Sequence, residues 1–281
     1  MDKPKMVLLG GPNSGKTHYA GQLYGRLRRR PGRLRLAEGG TPADLSPLED
    51  VLASLEEGRA AEHTSASTWA EITLPIVDDT GTEFELNWPD YGGEQLRTAF
   101  NERAISELWR TRLAGAQGWI LMIRLKTEVT YPGAIERMVE RSHANEQGSS
   151  RATNWDANAY WTELTQILLH VGGLGTVEQK HLPRLAIMLS CYDEVNAGEV
   201  PPATILARYL PLFSTFLHSV WPSDALSVWG LSSLGRELNR RSHDDAFIDN
   251  GPETQGWTVL PAGGPSSQDL TLPLHWLLQS K

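Results

Sequence analysis

Met6-Val7-Leu8-Leu9-Gly10-Gly11-Pro12-Asn13-Ser14-Gly15-Lys16-Thr17 is the stretch from which the rest of the chain can be read. An apolar run, the spacing of a strand, leads into Gly-x-x-x-x-Gly-Lys-Thr, and a helical pattern follows. Strand, glycine-rich loop and helix in this order form a cradle for phosphate. Backbone N–H groups of Gly10, Asn13, Ser14 and Gly15 turn inward, and the next helix presents its positive dipole end. Gly15 allows backbone to approach a phosphate without a Cβ in the way. Lys16 is placed to reach β- and γ-phosphates and to stabilise charge developing there, and the Thr17 hydroxyl to ligate Mg²⁺. The ligand class is therefore a nucleotide.

The chain has 281 residues and a formal net charge of −8. The acidic balance argues against general nucleic-acid binding. Cys191 is the only cysteine, which excludes an internal disulfide and, with no signal-peptide pattern, predicts a cytoplasmic protein. No apolar stretch is long enough to span a bilayer.

Candidate strands are Lys5–Leu9, Glu71–Val77, Thr82–Trp88, Trp119–Leu125, Leu185–Leu189 and Leu226–Trp229. Candidate helices are Lys16–Arg30, Gly93–Leu113, Asp156–Val171 and Ala203–Val220. The turn-forming Asp78–Gly81 makes the second and third strands an antiparallel hairpin. The pattern predicts a three-layer α/β fold: a mostly parallel six-stranded sheet with one antiparallel edge strand and helices on both faces. We read residues 1–281 as a single elaborated domain, with insertions at about 31–63 and 127–155 and a C-terminal extension at about 235–281. A further helix is expected around Ser46–Glu57, a loop at Gln147–Ser150, and a short terminal helix at Leu274–Leu278.

Further candidate site residues lie where strands end. Asp90, in Asp90-Tyr91-Gly92-Gly93-Glu94, closes the third candidate strand and suits an outer Mg²⁺ role, and Gly93 leaves a backbone N–H free to meet a γ-phosphate. The fifth strand ends in Ser190-Cys191-Tyr192-Asp193. A carboxylate at Asp193 accepts two hydrogen bonds from guanine's N1–H and 2-amino group, whereas adenine offers no donors there. The bland alternative makes Asp193 the start of a turn. The sixth strand runs into Gly230-Leu231-Ser232-Ser233-Leu234, whose Ser232 and Ser233 are candidate base contacts. A threonine before the second strand should meet Mg²⁺ when a γ-phosphate is present, and Thr64 and Thr68 are the two candidates.

These pieces, in this order, resemble a Ras-like GTPase of the translation-factor-related class over about residues 5–234. Asp193 stands where the guanine-reading Asn-Lys-x-Asp motif keeps its aspartate, and the Ser232–Ser233 loop resembles the Ser-Ala-Lys loop. The Asp90–Glu94 string, the Gly58–Thr64 approach, the Gly-Leu-Ser-Ser-Leu-Gly loop and Leu272–Leu278 are similar to the bacterial double-GTPase family linked to conflict and antiphage systems. The resemblance implies GTP and GDP as ligands with Mg²⁺. It also implies switch segments that meet protein partners. A nucleotide-dependent dimer stays open. Three departures bear on rate and affinity. Glu94 stands where many such enzymes place a water-positioning glutamine, and its charge repels a γ-phosphate. Cys191 replaces the lysine that packs along the base. Ser190 replaces the asparagine that ties the base loop to the phosphate loop. Slow or partner-stimulated hydrolysis, with Lys16 and Glu94 as catalytic candidates, is the expectation.

Two other function classes stay open: an ATPase or small-molecule kinase on the same phosphate loop, and a non-hydrolysing scaffold that keeps nucleotide as a structural ligand. Arg26, Arg28, Arg29, Arg30, Arg33 and Arg35 form a basic run at the end of the first helix, where cations complement the dipole. It reads as a solvated face, with an acidic partner, anionic lipid or RNA as the alternative. A catalytic arginine from this segment or from Arg97 is not singled out by the sequence. The histidines show no paired metal spacing, which argues against zinc.

Overall fold

In the computed structural model, which describes residues 3–29, 32–37, 45–61, 70–90, 94–130, 155–175, 177–241 and 243–279, successive residues of β1 (Lys5–Gly10) face opposite sides of a sheet buried on both. Met6 and Leu8 enter one core with Tyr19, Ala20 and Leu23. Val7 and Leu9 enter another with Trp119, Trp161 and Leu164. The same alternation runs through β5 (Gly118–Ile123) and β6 (Arg184–Ser190): Leu121 and Ile187 go to one core, Met122 and Met188 to the other. Strands covered on both faces read as continuous apolar runs, and for that reason they were legible.

The remaining elements are α1 (Lys16–Arg29), β2 (Leu34–Leu36), α2 (Ser46–Glu56), β3 (Ala70–Asp78), β4 (Glu83–Asp90), α3 (Glu94–Glu102), α4 (Glu107–Gly115), α5 (Ala157–Val171), α6 (Pro202–Tyr209), α7 (Pro211–Val220), β7 (Leu226–Ser232), α8 (Asp245–Asn250), β8 (Trp257–Val259) and α9 (Leu272–Leu278). Strand order is β2-β3-β4-β1-β5-β6-β7-β8. β4, β1, β5, β6 and β7 run parallel. Helices α1, α2 and α9 line one face, and α3 to α7 the other.

The three-layer, mostly parallel architecture is as expected, but the sheet has eight strands rather than six. β2 and β8 are three residues each, too short to carry a recognisable period. They add antiparallel pairs at both ends, so β3 lies inside the sheet and not at its edge. The hairpin turn is as read. Asp78 Oδ1 accepts from Thr80 N, Thr80 Oγ1 and Thr82 N, and Gly81 takes a φ of 88°. Two expected helices are each broken in two. Arg103 has a φ of 54° and ends α3. Pro211 lacks a backbone N–H and disfavours helical geometry at Leu210, which separates α6 from α7.

The basic run is not simply a solvated face. Arg26 is 5% exposed and donates to the carbonyls of Gln268 (2.9 Å) and Gly256 (3.1 Å). Tyr19 Oη donates to the Leu270 carbonyl on the same side of α1. Together they fasten the C-terminal segment to α1. Arg28 and Arg29 pair with Glu49 and Glu56 of α2. At the far end, the Arg184 guanidinium lies 3.8 Å from the Trp276 ring centroid and donates to the Trp276 carbonyl, holding α9 under the sheet. Among the described residues, no helix is long and apolar enough to cross a membrane.

Candidate nucleotide site

The carboxyl ends of β1, β4, β5, β6 and β7 share one edge of the sheet. In open α/β sheets this is where ligands bind, at the point where successive connections leave in opposite directions. Here β1 is flanked by β4 and β5, so the crevice opens directly above Gly10.

The loop between β1 and α1 is shaped by its own residues. A Cβ on Gly10 would come within 2.7 Å of Ser14 Oγ and 3.1 Å of Met122, so a side chain there would push on the serine that bonds the Gly11 carbonyl. Asn13 takes φ 56° and Gly15 φ 79°. Asparagine is among the few non-glycine residues that tolerate the left-handed region, which explains Asn13 in this loop. Ser14 Oγ donates to the Gly11 carbonyl at 2.8 Å. Lys16 is 7% exposed, and its Nζ donates to the carbonyls of Gly10 (2.7 Å) and Gly11 (2.8 Å), with Ser14 Oγ at 3.3 Å. The ammonium is thereby held at the centre of the loop, at the amino end of a helix whose first turn carries no acidic residue. Thr17 follows in that first turn.

Beside this loop lies the turn after β6. Cys191 has a φ of 49° and a ψ of 45°, and its sulfur lies 3.9 Å from where a Cβ on Gly15 would stand. The two loops are therefore neighbours along the sheet edge. Burial pushes the Cys191 thiol up to about 11, so it stays protonated at neutral pH and is a packing group, not a nucleophile. Tyr192 turns down and is buried against Gly230, where a Cβ would meet its ring at 2.6 Å. Asp193 points outward and accepts from Ser232 Oγ at 2.5 Å, and Ser232 Oγ in turn accepts from Gly235 N. Gly256, just before β8, lies so near that a Cβ there would meet the Ser233 carbonyl oxygen at 2.5 Å and that of Ser232 at 3.1 Å. The C-terminal segment thus backs the base-side loop as well as α1.

The structure brings Gly10, Asn13, Ser14, Gly15, Lys16 and Thr17 together with Asp193, Ser232 and Ser233 along this edge. Asp90 closes β4 on the same edge and Glu94 opens α3, although their side chains lie outside the described residues. Thr64, Thr68 and Gly93 lie outside the described residues altogether.

Three neighbours complete the surroundings: Arg124 and Glu128, which sequence reading missed, and Trp161, which reads in the sequence as a packing residue near a helix start. Arg124, just past β5, pairs with Glu194 through Nε (3.0 Å) and a second guanidinium nitrogen. Trp161 of α5 is 2% exposed, and its Cη2 lies 3.8 Å from a Cβ placed on Gly11. Glu128 follows the 3₁₀ turn Leu125–Thr127, and burial pushes its carboxyl up to about 7. A charge at the end of an apolar strand was the one available signal for Arg124. Glu128 carried none.

The model of the Double-GTPase 1 family matches residues 7–277. No curated protein matches the chain. Among solved structures, the Arl6 BBS3 small GTPase of Trypanosoma brucei, with the bound nucleotide analogue GppNp, is 13% identical with a TM-score of 0.40. The match covers 90% of this chain and 99% of that one. The SRb-GTP/SRX signal recognition particle receptor complex of Chaetomium thermophilum is 14% identical with a TM-score of 0.39, over 89% of this chain and 98% of that one. The family match spans nearly the whole chain, phosphate loop to terminal helix, and on it the chain belongs to the Double-GTPase 1 family of P-loop GTP-binding proteins.

Proposed function

We propose that the protein is a Mg²⁺-dependent guanine-nucleotide switch with slow or partner-stimulated GTP hydrolysis, working in the cytoplasm with partner proteins of a bacterial defence-type system. The observation that carries the guanine reading is that the Asp193 turn lies beside the phosphate loop, with Asp193 oriented by Ser232. A carboxylate held on the loop next to a phosphate cradle is suited to guanine's two donors.

The donor chemistry fits Mg²⁺, which takes hard oxygen ligands and usually keeps phosphates and waters among them. The Thr17 hydroxyl, a threonine at Thr64 or Thr68, and Asp90 are the residues we assign to it. When bound, the ion would neutralise charge on the β- and γ-phosphate oxygens. Lys16 and the N–H groups of Asn13, Ser14 and Gly15 hold the phosphates, and Lys16 exchanges its loop carbonyls for phosphate oxygens. Gly93 supplies an N–H to the γ-phosphate, and Glu94 or a partner group orients water. The segments around Thr64–Thr68 and Asp90–Leu96 are the ones a γ-phosphate would order.

The test is thermal stabilisation by Mg²⁺ with GTP, GDP, ATP or ADP, for wild type and Asp193→Ala. A ligand at about a hundredfold above its Kd adds roughly 2.7 kcal/mol. Stabilisation selective for guanine and lost in Asp193→Ala is the expected result. Equal or adenine-selective stabilisation, indifferent to Asp193, would replace the switch with an ATPase or kinase.

A further inference from the structure

Reading a base and gripping its phosphates at once requires that two loops keep a fixed separation. The turn after β6 carries Asp193, and its own anchors are unequal. Ser190 Oγ is buried and makes no hydrogen bond among the described residues, and the Cys191 thiol lies beside Gly15. On the β7 flank the turn is fastened by Ser232 to Asp193. On the β5 flank, the side facing the phosphate loop, Arg124 pairs with Glu194. β5 is the strand that separates β1 from β6, so a tie to its end sets the turn relative to both. The arginine is itself well placed. Its carbonyl accepts from Thr127 N (3.1 Å) and Thr127 Oγ1 (2.9 Å), closing the backbone just behind the side chain. The pair is largely withdrawn from water, with side chains 30% and 16% exposed, and two parallel bonds fix orientation as one would not.

We infer that Arg124 is a positioning residue for guanine recognition: its bidentate pairing with Glu194 holds the Asp193 turn at the separation from the phosphate loop that a guanine nucleotide requires. This rests on the guanine reading proposed above. Glu194 also raises the Arg124 pKa, as does the acidic character of Asp193 close by, so the guanidinium stays charged at every working pH. Losing it would leave Glu194 unpaired beside Asp193, and the turn anchored only toward β7.

The experiment is equilibrium titration of the Mg²⁺-containing protein with fluorescent mant-GDP and mant-ADP, read as the ratio of the two dissociation constants. Arg124→Ala and Glu194→Ala should each lower guanine preference about tenfold, equivalent to roughly 1.4 kcal/mol. The double variant should fall no further, because the two act as one tie. Arg124→Lys and Glu194→Gln keep the bulk of each side chain while losing half of the fork. They should fall about threefold, half the free energy of the tenfold change expected when the whole tie is lost, and they keep the test decisive if an alanine variant fails to fold. A wild-type ratio retained in the variants, or an equal loss for both nucleotides, overturns the inference and leaves the guanine reading standing. A wild type without guanine preference removes the guanine reading itself, and the inference with it.

Discussion

Replacing Glu128 by glutamine should change how the stability of this protein depends on pH. The Glu128 carboxyl lies behind the phosphate loop. Trp161 separates it from Gly11, and Tyr160, itself pushed up to about 12 by burial with a contribution from Glu128, lies on the same helix. Burial disfavours the carboxylate and carries its titration from an ordinary value of 4.5 to about 7. The Trp161 indole N–H faces it and partly offsets that effect, without closing a hydrogen bond of good geometry. A carboxyl raised in the fold binds its proton more tightly there than in the unfolded chain. Its contribution to stability is therefore intact below the unfolded value and declines as pH climbs toward the folded one. Between about pH 5 and about pH 8 the linkage integral removes roughly 2.5 kcal/mol. For a chain of this size that is a fall in Tm of about 5 °C. Glu128→Gln cannot ionise, so the variant should lose this component of the slope and be the more stable protein at about pH 8, by up to roughly 3 kcal/mol. Urea unfolding of both proteins across that range measures the difference directly, since every other titrating group is common to the two. A flat wild-type minus variant curve would refute the reasoning and place the Glu128 carboxyl in water, and one that rises with pH would refute it by showing the carboxylate stabilised in the fold.

Lys16→Ala should abolish nucleotide binding, read as loss of thermal stabilisation by Mg²⁺ with GTP, because it removes the cation that Gly10 and Gly11 hold at the centre of the loop. Normal GTP affinity in that variant would sink the phosphate-loop assignment. Gly230→Ala should displace Tyr192, whose ring a Cβ would meet at 2.6 Å, at a cost of about 1–3 kcal/mol in urea unfolding. Because Tyr192 precedes Asp193, guanine affinity should fall in the same variant, and an unchanged Kd for GDP would uncouple Tyr192 from the base-side turn.

The phosphate loop was legible because its determinants are contiguous. A strand period, glycines at Gly10 and Gly15, and the Lys16–Thr17 pair fall within one short stretch, and each acts through its own backbone or charge. Strands β1, β5 and β6 were legible for a related reason: burial on both faces writes a continuous apolar run into each, whereas β4 alternates, with Phe84 and Leu86 set between Glu83, Glu85 and Asn87. Short edge strands write nothing comparable, so β2 and β8 emerged only from pairing with β3 and β7. The two helix breaks differ instructively. Pro211 announces a break in the sequence, whereas Arg103 takes a left-handed conformation that no residue type at that position demanded.

By itself, then, the sequence determined the ligand class, the strand-and-helix alternation and the position of Asp193 at a strand end. Tertiary structure alone decided what surrounds them. Arg124 meets Glu194 across 70 residues of chain only because β5 and β6 are neighbours in register. Arg26 read as a surface cation until the C-terminal segment came to lie across it and supplied two carbonyls. Glu128 carries no signal in the sequence, and only the packing around it withdraws its carboxyl from water. Such contacts depend on which elements the sheet order makes adjacent. Periodicity and motif spacing describe a residue's relation to its own segment and hold no information about that adjacency.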